Sequence, residues 1–177
     1  MNTDPRFAGE RPKPSPFYPR QKELNIREAW SIWNGYKFAE YFYDANFEYF
    51  CIRNMCGTYD ISPMQKYRVE GPDAEAMLNR MVTRDISKLK LDRVTYVVWC
   101  TDDGRVVDDG TIFRLAEDRF MLTCGSPCVA WLEMAAFGFD HVTITDLSDD
   151  LAALALQGPT SCAVLKRMGL AEIEHAK

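Results

Sequence analysis

The chain has 177 residues, of which 47% are hydrophobic, enough to bury a core and to exclude wholesale disorder. Its formal net charge of −5 argues against nucleic acid as a partner, because phosphate binding needs a basic surface. No apolar run approaches the roughly 20 residues that span a bilayer, so we also expect no membrane partner.

The cysteines, the histidines and the N-terminal sequence indicate whether the protein binds a metal and in which cellular compartment it is expected. The six cysteines form no Cys-x-x-Cys pair, and the only two histidines are His141 and His175, so the closely spaced ligands of a zinc site are missing. The N-terminus lacks the apolar core of a secretory signal, which makes disulfides unexpected. We therefore predict no metal site, free thiols and a cytoplasmic protein.

Two segments precede the first clear strand. Residues 1–23 are rich in proline and charge, which predicts an extended lead-in, and residues 24–177 are assigned to the folded domain. Between residues 24 and 50, aromatic side chains fall on nearly every face of any regular element. We interpret this stretch as core packing, and walls for a flat heterocycle are the alternative.

A strand, a turn and a helix follow. Lys66 to Glu70 alternate as a strand does, Gly71 turns the chain, and Pro72 suits the start of a helix. An apolar stripe at helical spacing continues from there, formed by Ala74, Met77, Leu78 and Met81.

The remaining chain alternates β-rich runs with helices. An Asp-Gly dipeptide separates two β-rich runs and predicts a hairpin between them. The predicted strands are 93–100, 105–115, 119–124, 141–145 and 151–157, and the predicted helices are 128–137 and one from Pro159 onward. Hairpins with interspersed helices indicate an α+β domain with a mostly antiparallel sheet.

Two adjacent aspartates, Asp108 and Asp109, interrupt the second strand of the hairpin, although aspartate is depleted from strands. Successive strand residues point to opposite faces, so the two carboxylates cannot share one side of the sheet. Asp109 shares its face with Val107 and Thr111, the more apolar row, which predicts that Asp109 is buried and Asp108 solvated. Such a carboxylate either serves a functional site or only bonds a backbone amide or an arginine such as Arg84, and the pattern leaves both open.

Three sequence blocks, in order and spacing, carry a family resemblance. They are GTYDISPMQKYRVEGPDAEAMLNRMVTRDISKL, GRVVDDGTIF and ALQGP, within a span from Asn46 to Leu170. With these blocks the chain resembles the T-protein of the glycine cleavage system. That family also includes folate-dependent demethylases and the folate domains of dimethylglycine and sarcosine dehydrogenases. The resemblance implies a folate-binding domain of the T-protein type, with tetrahydrofolate as its cofactor.

The resemblance also implies site residues. In the family, the second aspartate of the pair faces folate and is needed for catalysis, which makes Asp109 the predicted catalytic residue and a cofactor contact. Tyr96 in the preceding strand and Met64 after the Asp-x-Ser segment are implied to line the folate pocket. Thr111 and Cys124 complete the predicted cofactor contacts. A fixed carboxylate can handle proton charge, while apolar walls exclude water from a labile one-carbon unit.

Two departures from the family pattern bear on the donor. The family's Ser-His-Met reads Ser62-Pro63-Met64 here, so the histidine is missing. Cys124 stands where glycine-cleavage T-proteins usually have an asparagine. Both changes favour the demethylase-like or dehydrogenase-associated branches over the aminomethyl-specific reaction.

The predicted function is tetrahydrofolate-dependent transfer of a one-carbon unit, methyl or aminomethyl, from a small amine, ether or sulfonium donor. The resemblance implies a longer protein whose second half holds the folate tail, so we expect a shortened N-terminal portion completed by a second half or a partner subunit. The alternative is a non-catalytic folate-fold subunit or regulator of a larger oxidase or dehydrogenase. Its signature would be an exposed apolar face around Trp131, Phe137 and Phe139.

Overall fold

The computed structural model describes residues 11–170 and Ile173, and it confirms the predicted α+β class. The helices are α1 (Tyr18–Leu24), α2 (Ala45–Asn54), α3 (Ala74–Met81), α4 (Val129–Ala136) and α5 (Ser161–Arg167). The strands are β1 (Lys13–Pro14), β2 (Trp30–Trp33), β3 (Tyr36–Ala39), β4 (Gly57–Asp60), β5 (Gln65–Glu70), β6 (Val94–Cys100), β7 (Val106–Ala116), β8 (Arg119–Cys124), β9 (Thr143–Asp146) and β10 (Leu154–Gln157). Among these strands, β1 and β3 run parallel, and every other described pairing is antiparallel.

The chain divides into two compact units. The first unit contains the described residues up to Pro63 together with those from Ala152 onward. It holds a three-stranded sheet in the order β1-β3-β2 and a two-stranded ladder of β4 and β10. The second unit, Met64–Leu151, holds a five-stranded antiparallel sheet in the order β6-β7-β8-β5-β9. Every residue predicted for the folate site lies in the second unit.

The core of the second unit lies on one face of its sheet. Tyr67, Leu122 and Ile112 oppose one another across β5, β8 and β7, and each is at most 1% exposed. Helices α3 and α4 cover this row with an apolar stripe that includes Met77 and Leu132. Each fully buried side chain of this kind contributes about 1.5–3 kcal/mol, so the covered face holds the sheet together.

The opposite face of the sheet is open. Tyr96 is 57% exposed and Val94 is 51% exposed on this face of β6, whereas Val97 and Trp99 are buried on the other face. Asp109 and Thr111 lie on this same open face of β7, because Thr111 pairs with Tyr96 and Asp109 pairs with Val98. An antiparallel sheet with one face covered and one face uncovered is a common arrangement.

A β-bulge interrupts the hairpin of β6 and β7. Trp99 pairs with Asp108 and Cys100 pairs with Val106, which leaves Val107 without a residue opposite. The bulge turns Val107 onto the covered core, while Val106 is 67% exposed. A bulge of one residue shifts the alternation of every residue before it.

The aromatic segment differs from its predicted role. Trp30–Trp33 and Tyr36–Ala39 form a hairpin whose turn is Asn34-Gly35, with φ angles of 45° and 79°. An Asn-Gly turn with two positive φ angles matches the twist of a hairpin. All eight strand residues are half-buried, so the segment is not the core-packing element that its composition predicted.

The lead-in predicted for residues 1–23 is also different where it is described. Tyr18–Leu24 is helical, with a proline in its first turn and Lys22 in its last turn. Residues 1–10 lie outside the described residues, so the prediction for them stays a prediction. Within the described ranges, none of the helices has the length and apolar character to cross a membrane.

Replacing Gly110 by alanine should destabilise the second unit strongly. A Cβ at Gly110 would lie 2.2 Å from the Thr123 carbonyl oxygen of the neighbouring strand, which forces two central strands apart. We expect the free energy of unfolding to fall by about 1–3 kcal/mol in urea denaturation. The matched control is Gly125→Ala, because a Cβ there meets no described atom within 4 Å. Equal stability of the two variants would contradict the close strand approach.

Candidate functional site

The candidate site is built around the carboxylate of Asp109 on the open face of β7. Tyr96 projects from the neighbouring strand β6 and donates its hydroxyl hydrogen bond to Oδ2 of Asp109. The two residues are diagonal neighbours, because Tyr96 pairs directly with Thr111, two residues further along β7. The hairpin register therefore brings together two residues that were predicted separately.

The predicted burial of the two aspartates is wrong. Asp109 is exposed and Asp108 is half-buried on the covered side, the reverse of the expectation. The cause is the bulge: Val107 belongs to the core face, so the row that contains Asp109 is less apolar than strict alternation implied. The carboxylate of Asp109 is therefore available at a surface, without the cost of full burial.

Asp108 has a structural task. Its Oδ1 accepts the backbone N–H of Asp109 at 2.9 Å, and its Oδ2 accepts the N–H of Ser126 at 3.2 Å. These bonds tie the start of the loop after β8 to the bulged segment of β7. The neighbouring carboxylates thus have different roles, one holding backbone and the other facing outward.

Thr111 adds a hydroxyl beside this pair. Its Oγ1 lies 2.6 Å from Oγ1 of Thr123, its direct partner on β8. Both threonines occupy the open face, so the row across β6, β7 and β8 reads Tyr96, Thr111, Thr123. Thr123 was missed by sequence reasoning, although the register of the second hairpin would have indicated it.

Met64 lies at the same end of the sheet as Asp109. Met64 precedes Gln65, Asp109 precedes Gly110, and both Gln65 and Gly110 pair with Cys124. Adjacent strands are about 4.8 Å apart, so β5 and β7 place these two residues about 10 Å apart across the sheet. Met64 is half-buried.

Cys124 is not brought to the open face. It shares the core face with Leu122 and is 0% exposed. Its thiol donates to the Ser126 carbonyl at 3.1 Å and lies 3.5 Å from the thiol of Cys128. The hydrogen bond between the two thiols and burial both raise the pKa of the Cys128 thiol. This placement separates Cys124 from the other predicted cofactor contacts, because its side chain points into the core.

The electrostatics of the pair favour a protonated tyrosine. The hydrogen bond to Asp109 is the main cause that raises the pKa of Tyr96 above its usual value. Ionising the phenol would set two negative groups against each other and remove the donor. Tyr96 is therefore fixed as the donor of this hydrogen bond. The described part of the chain holds no group of three or more His, Cys, Asp or Glu side chains placed to bind a metal ion.

The fold and site define a class of protein: an α+β domain whose antiparallel sheet carries helices on one face and a tyrosine-supported carboxylate on the other. The family model described as "GCVT N-terminal domain" matches residues 22–177. Since this match covers most of the chain, the protein belongs to that family.

The chain is also similar to proteins of known name and to a solved structure. An aminomethyltransferase of Anoxybacillus flavithermus is 29% identical over 167 residues, which are 92% of this chain and 45% of that protein. An aminomethyltransferase of Shouchella clausii is 37% identical over 68% of this chain and 34% of its own length. The crystal structure of glycine cleavage system aminomethyltransferase T from Bartonella henselae superposes with a TM-score of 0.80 at 30% identity, covering 89% of this chain and 44% of that one. The chain thus spans less than half the length of these relatives.

The pairing of Tyr96 with Asp109 predicts a shifted titration. We expect Tyr96 to ionise above the ordinary tyrosine value of 10.0, and Asp109→Asn to return its pKa toward that value. Because the pKa is raised in the folded state, the stabilisation is present below pH 10 and is lost as the pH rises through the folded pKa.

The measurement is the ultraviolet absorbance of tyrosinate as a function of pH. The contribution of Tyr96 is the difference between the unmodified chain and the Tyr96→Phe variant. Asp118→Asn, a substitution at an exposed turn between β7 and β8, should leave the titration unchanged. A Tyr96 titration that is the same with and without the Asp109 carboxylate would contradict the assigned contact.

Proposed function

We propose that this domain supplies the folate-facing carboxylate of a tetrahydrofolate-dependent one-carbon transferase, with Asp109 as the catalytic residue. The observation that carries the proposal is the Tyr96–Asp109 hydrogen bond on an open sheet face. Membership in the family and the names of the relatives, which are aminomethyltransferases, support the same reaction class.

The residues on the open face suit the pterin ring of folate. That ring is flat and has N–H donors at its edge, which match a carboxylate acceptor such as Asp109. Met64 precedes β5 and Asp109 lies on β7, the two strands that flank β8, and a Cβ on Gly125, directly after β8, would meet no described atom within 4 Å. Asp109, Tyr96, Thr111 and Met64 are therefore the residues that would hold the ring. When bound, tetrahydrofolate supplies the nitrogen that accepts the one-carbon unit.

Each residue has a defined task under this proposal. Tyr96 occupies Oδ2 of Asp109, and among the described contacts Oδ1 has no donor, so one carboxylate oxygen faces the ligand. A carboxylate fixed in this way can accept a proton or stabilise positive charge that develops during transfer. Thr111 lies two residues after Asp109 on the same face of β7, and its hydroxyl is oriented by the hydroxyl of Thr123.

The donor we propose is a small amine, ether or sulfonium compound. Pro63 replaces the family's histidine, and it is buried, with its carbonyl accepting the side-chain amide of Asn34 at 2.8 Å. Cys124 replaces the family's asparagine and faces the core. Neither position offers a polar side chain on the open face, which favours demethylase-like or dehydrogenase-associated chemistry over the aminomethyl-specific reaction.

A complete enzyme requires more than this chain under the proposal. The relatives extend well beyond the matched region, so we propose that a second half or a partner subunit supplies the groups that hold the folate tail. We propose a cytoplasmic location, because the thiols of Cys124 and Cys128 are free although they are only 3.5 Å apart.

A second candidate is a non-catalytic subunit of a larger oxidase or dehydrogenase. The observation that favours it is apolar exposure on and after α4, where Phe137 is 83% exposed and Met134 is 63% exposed. The apolar face is narrower than predicted, since Trp131 and Phe139 pack against the core. A non-catalytic subunit would keep its function when Asp109 is replaced, whereas the proposed transferase would lose activity.

The test is tetrahydrofolate binding to the 177-residue chain by isothermal titration calorimetry. We expect Asp109→Asn to weaken binding roughly tenfold to a hundredfold, because the charged acceptor is removed from a ring N–H. Tyr96→Phe should weaken binding less, since it frees the carboxylate without removing it.

The matched control is Asp118→Asn, which removes an exposed carboxylate from the turn after β7 and should bind as the unmodified chain does. Equal binding by the Asp109→Asn and unmodified chains would overturn the role of Asp109. Absence of binding by the unmodified chain would mean either that the second half is required for binding or that the subunit candidate is right.

A further inference from the structure

The first unit contains a cleft of about 140 Å³, and none of the predicted folate contacts is among its lining residues. One wall is a single face of α1, where Phe17, Gln21 and Leu24 recur at helical spacing. The facing wall includes Asp60 and Leu154, which pair directly across the β4 and β10 ladder. An apolar cavity of about 150 Å³ holds benzene, so a ligand here is limited to a few heavy atoms.

Asp60 is a fixed carboxylate in this cleft, 8% exposed. Its Oδ1 accepts the N–H of Ser62 at 2.9 Å, and its Oδ2 accepts the side-chain amide of Gln21 at 2.6 Å. Gln21 is itself locked, because its Oε1 accepts the N–H of Ala39 at 2.7 Å. A carboxylate has about four lone-pair sites, so Asp60 keeps acceptor capacity after these bonds.

The charge of Asp60 is not balanced by a cation among the described residues. The salt bridges in that part of the chain do not include Asp60. Arg20 lines the cleft, but its guanidinium pairs with Glu23 at 2.8 Å and its side chain is 71% exposed, so it is offset and solvated. A nearly buried carboxylate without a cationic partner favours a bound cation and disfavours an anion.

Aromatic rings form part of the lining. Phe17 and Phe42 are half-buried and contribute apolar walls on the α1 side and after β3. The faces of such rings attract cations, and the attraction grows when the cation is shielded from water. A cleft of this size with two phenylalanines and one unpaired carboxylate matches a compact cation with an apolar surface.

We propose that this cleft binds a small organic ammonium ion, of the size of a trimethylammonium group. The carboxylate of Asp60 provides the charge, and Phe17 and Phe42 contact the alkyl groups. Inorganic cations fit less well, because a hard cation prefers several oxygen ligands and the lining is mostly apolar, with Asp60 as its single carboxylate. Asp109 does not line this cleft, so the proposed ammonium site can be tested separately from the proposed transferase activity.

The test is calorimetric titration of the 177-residue chain with choline and with dimethylbutanol, the uncharged isostere in which carbon replaces the nitrogen. We expect choline to bind roughly tenfold more tightly than the isostere, which has the same shape and apolar surface. Equal binding of the two compounds, or no binding of choline, would overturn the proposal.

Two substitutions locate the effect in the cleft. Phe42→Leu should weaken choline binding roughly fivefold, while Phe47→Leu, an exposed phenylalanine on α2, should leave it unchanged. Arg20→Gln should strengthen binding about twofold at low salt, because a cation is removed from the rim. An unchanged affinity in Phe42→Leu would contradict the aromatic contact even if Asp60→Asn, which breaks a buried network, fails to fold.

Discussion

The alternation of side chains along β7 is the constraint on which the candidate site depends. Ile112 must face the covered side because Tyr67 and Leu122 oppose it there, and this fixes the faces of the residues from the bulge up to Ile112. Asp109 is then directed to the open face. A register slip of one residue would drive its carboxylate into the core, at the cost of desolvating a charge. The apolar core thus specifies the position of a polar group that it does not touch.

The bulge at Val107 lets two adjacent aspartates coexist in a central strand. It turns Val107 toward the core, and Asp108 receives two backbone N–H bonds beside it. Asp108 is therefore satisfied within the fold, while Asp109 is engaged by the Tyr96 hydroxyl and otherwise open to a ligand. Because Tyr96 and Asp109 both stand on paired strands, their geometry is held by the sheet rather than by a loop, which favours a pre-organised site.

Sequence patterns were enough to predict the α-helices and strands of the second unit, whereas the 3₁₀ helix at Ile86–Lys88 was not predicted. The apolar stripe of α3 and the alternation of β5 need only local spacing, and both elements were found with small changes at their ends. The burial of the two aspartates could not be predicted, because placing Val107 in the row of Asp109 overlooked a bulge that depends on how β6 pairs with β7.

Two other differences between the predicted and the observed structure concern the hairpin of β2 and β3 and the position of Cys124. The Asn34-Gly35 turn indicates a hairpin, but the dense aromatic residues around it concealed the alternation of β2 and β3. The position of Cys124 in the core follows from its alternation with Leu122 and Phe120, whereas the family resemblance had pointed to a cofactor contact. A family resemblance identifies which residue occupies a given position in the chain. Which face of the sheet its side chain lies on depends on how the strands pair.

The two units are stabilised in different ways, and this affects how each can carry a ligand site. The second unit depends on apolar burial, so an exposed side chain such as Asp109 can be replaced with little cost to the fold. In the first unit, Gln21 and Asp60 are buried and joined by hydrogen bonds, and removing one partner leaves the other unsatisfied. Substitution at Asp109 therefore tests its proposed role without disturbing the fold. At Asp60 a substitution would change stability together with any binding, so substitutions of the surrounding phenylalanines are needed to distinguish the two effects.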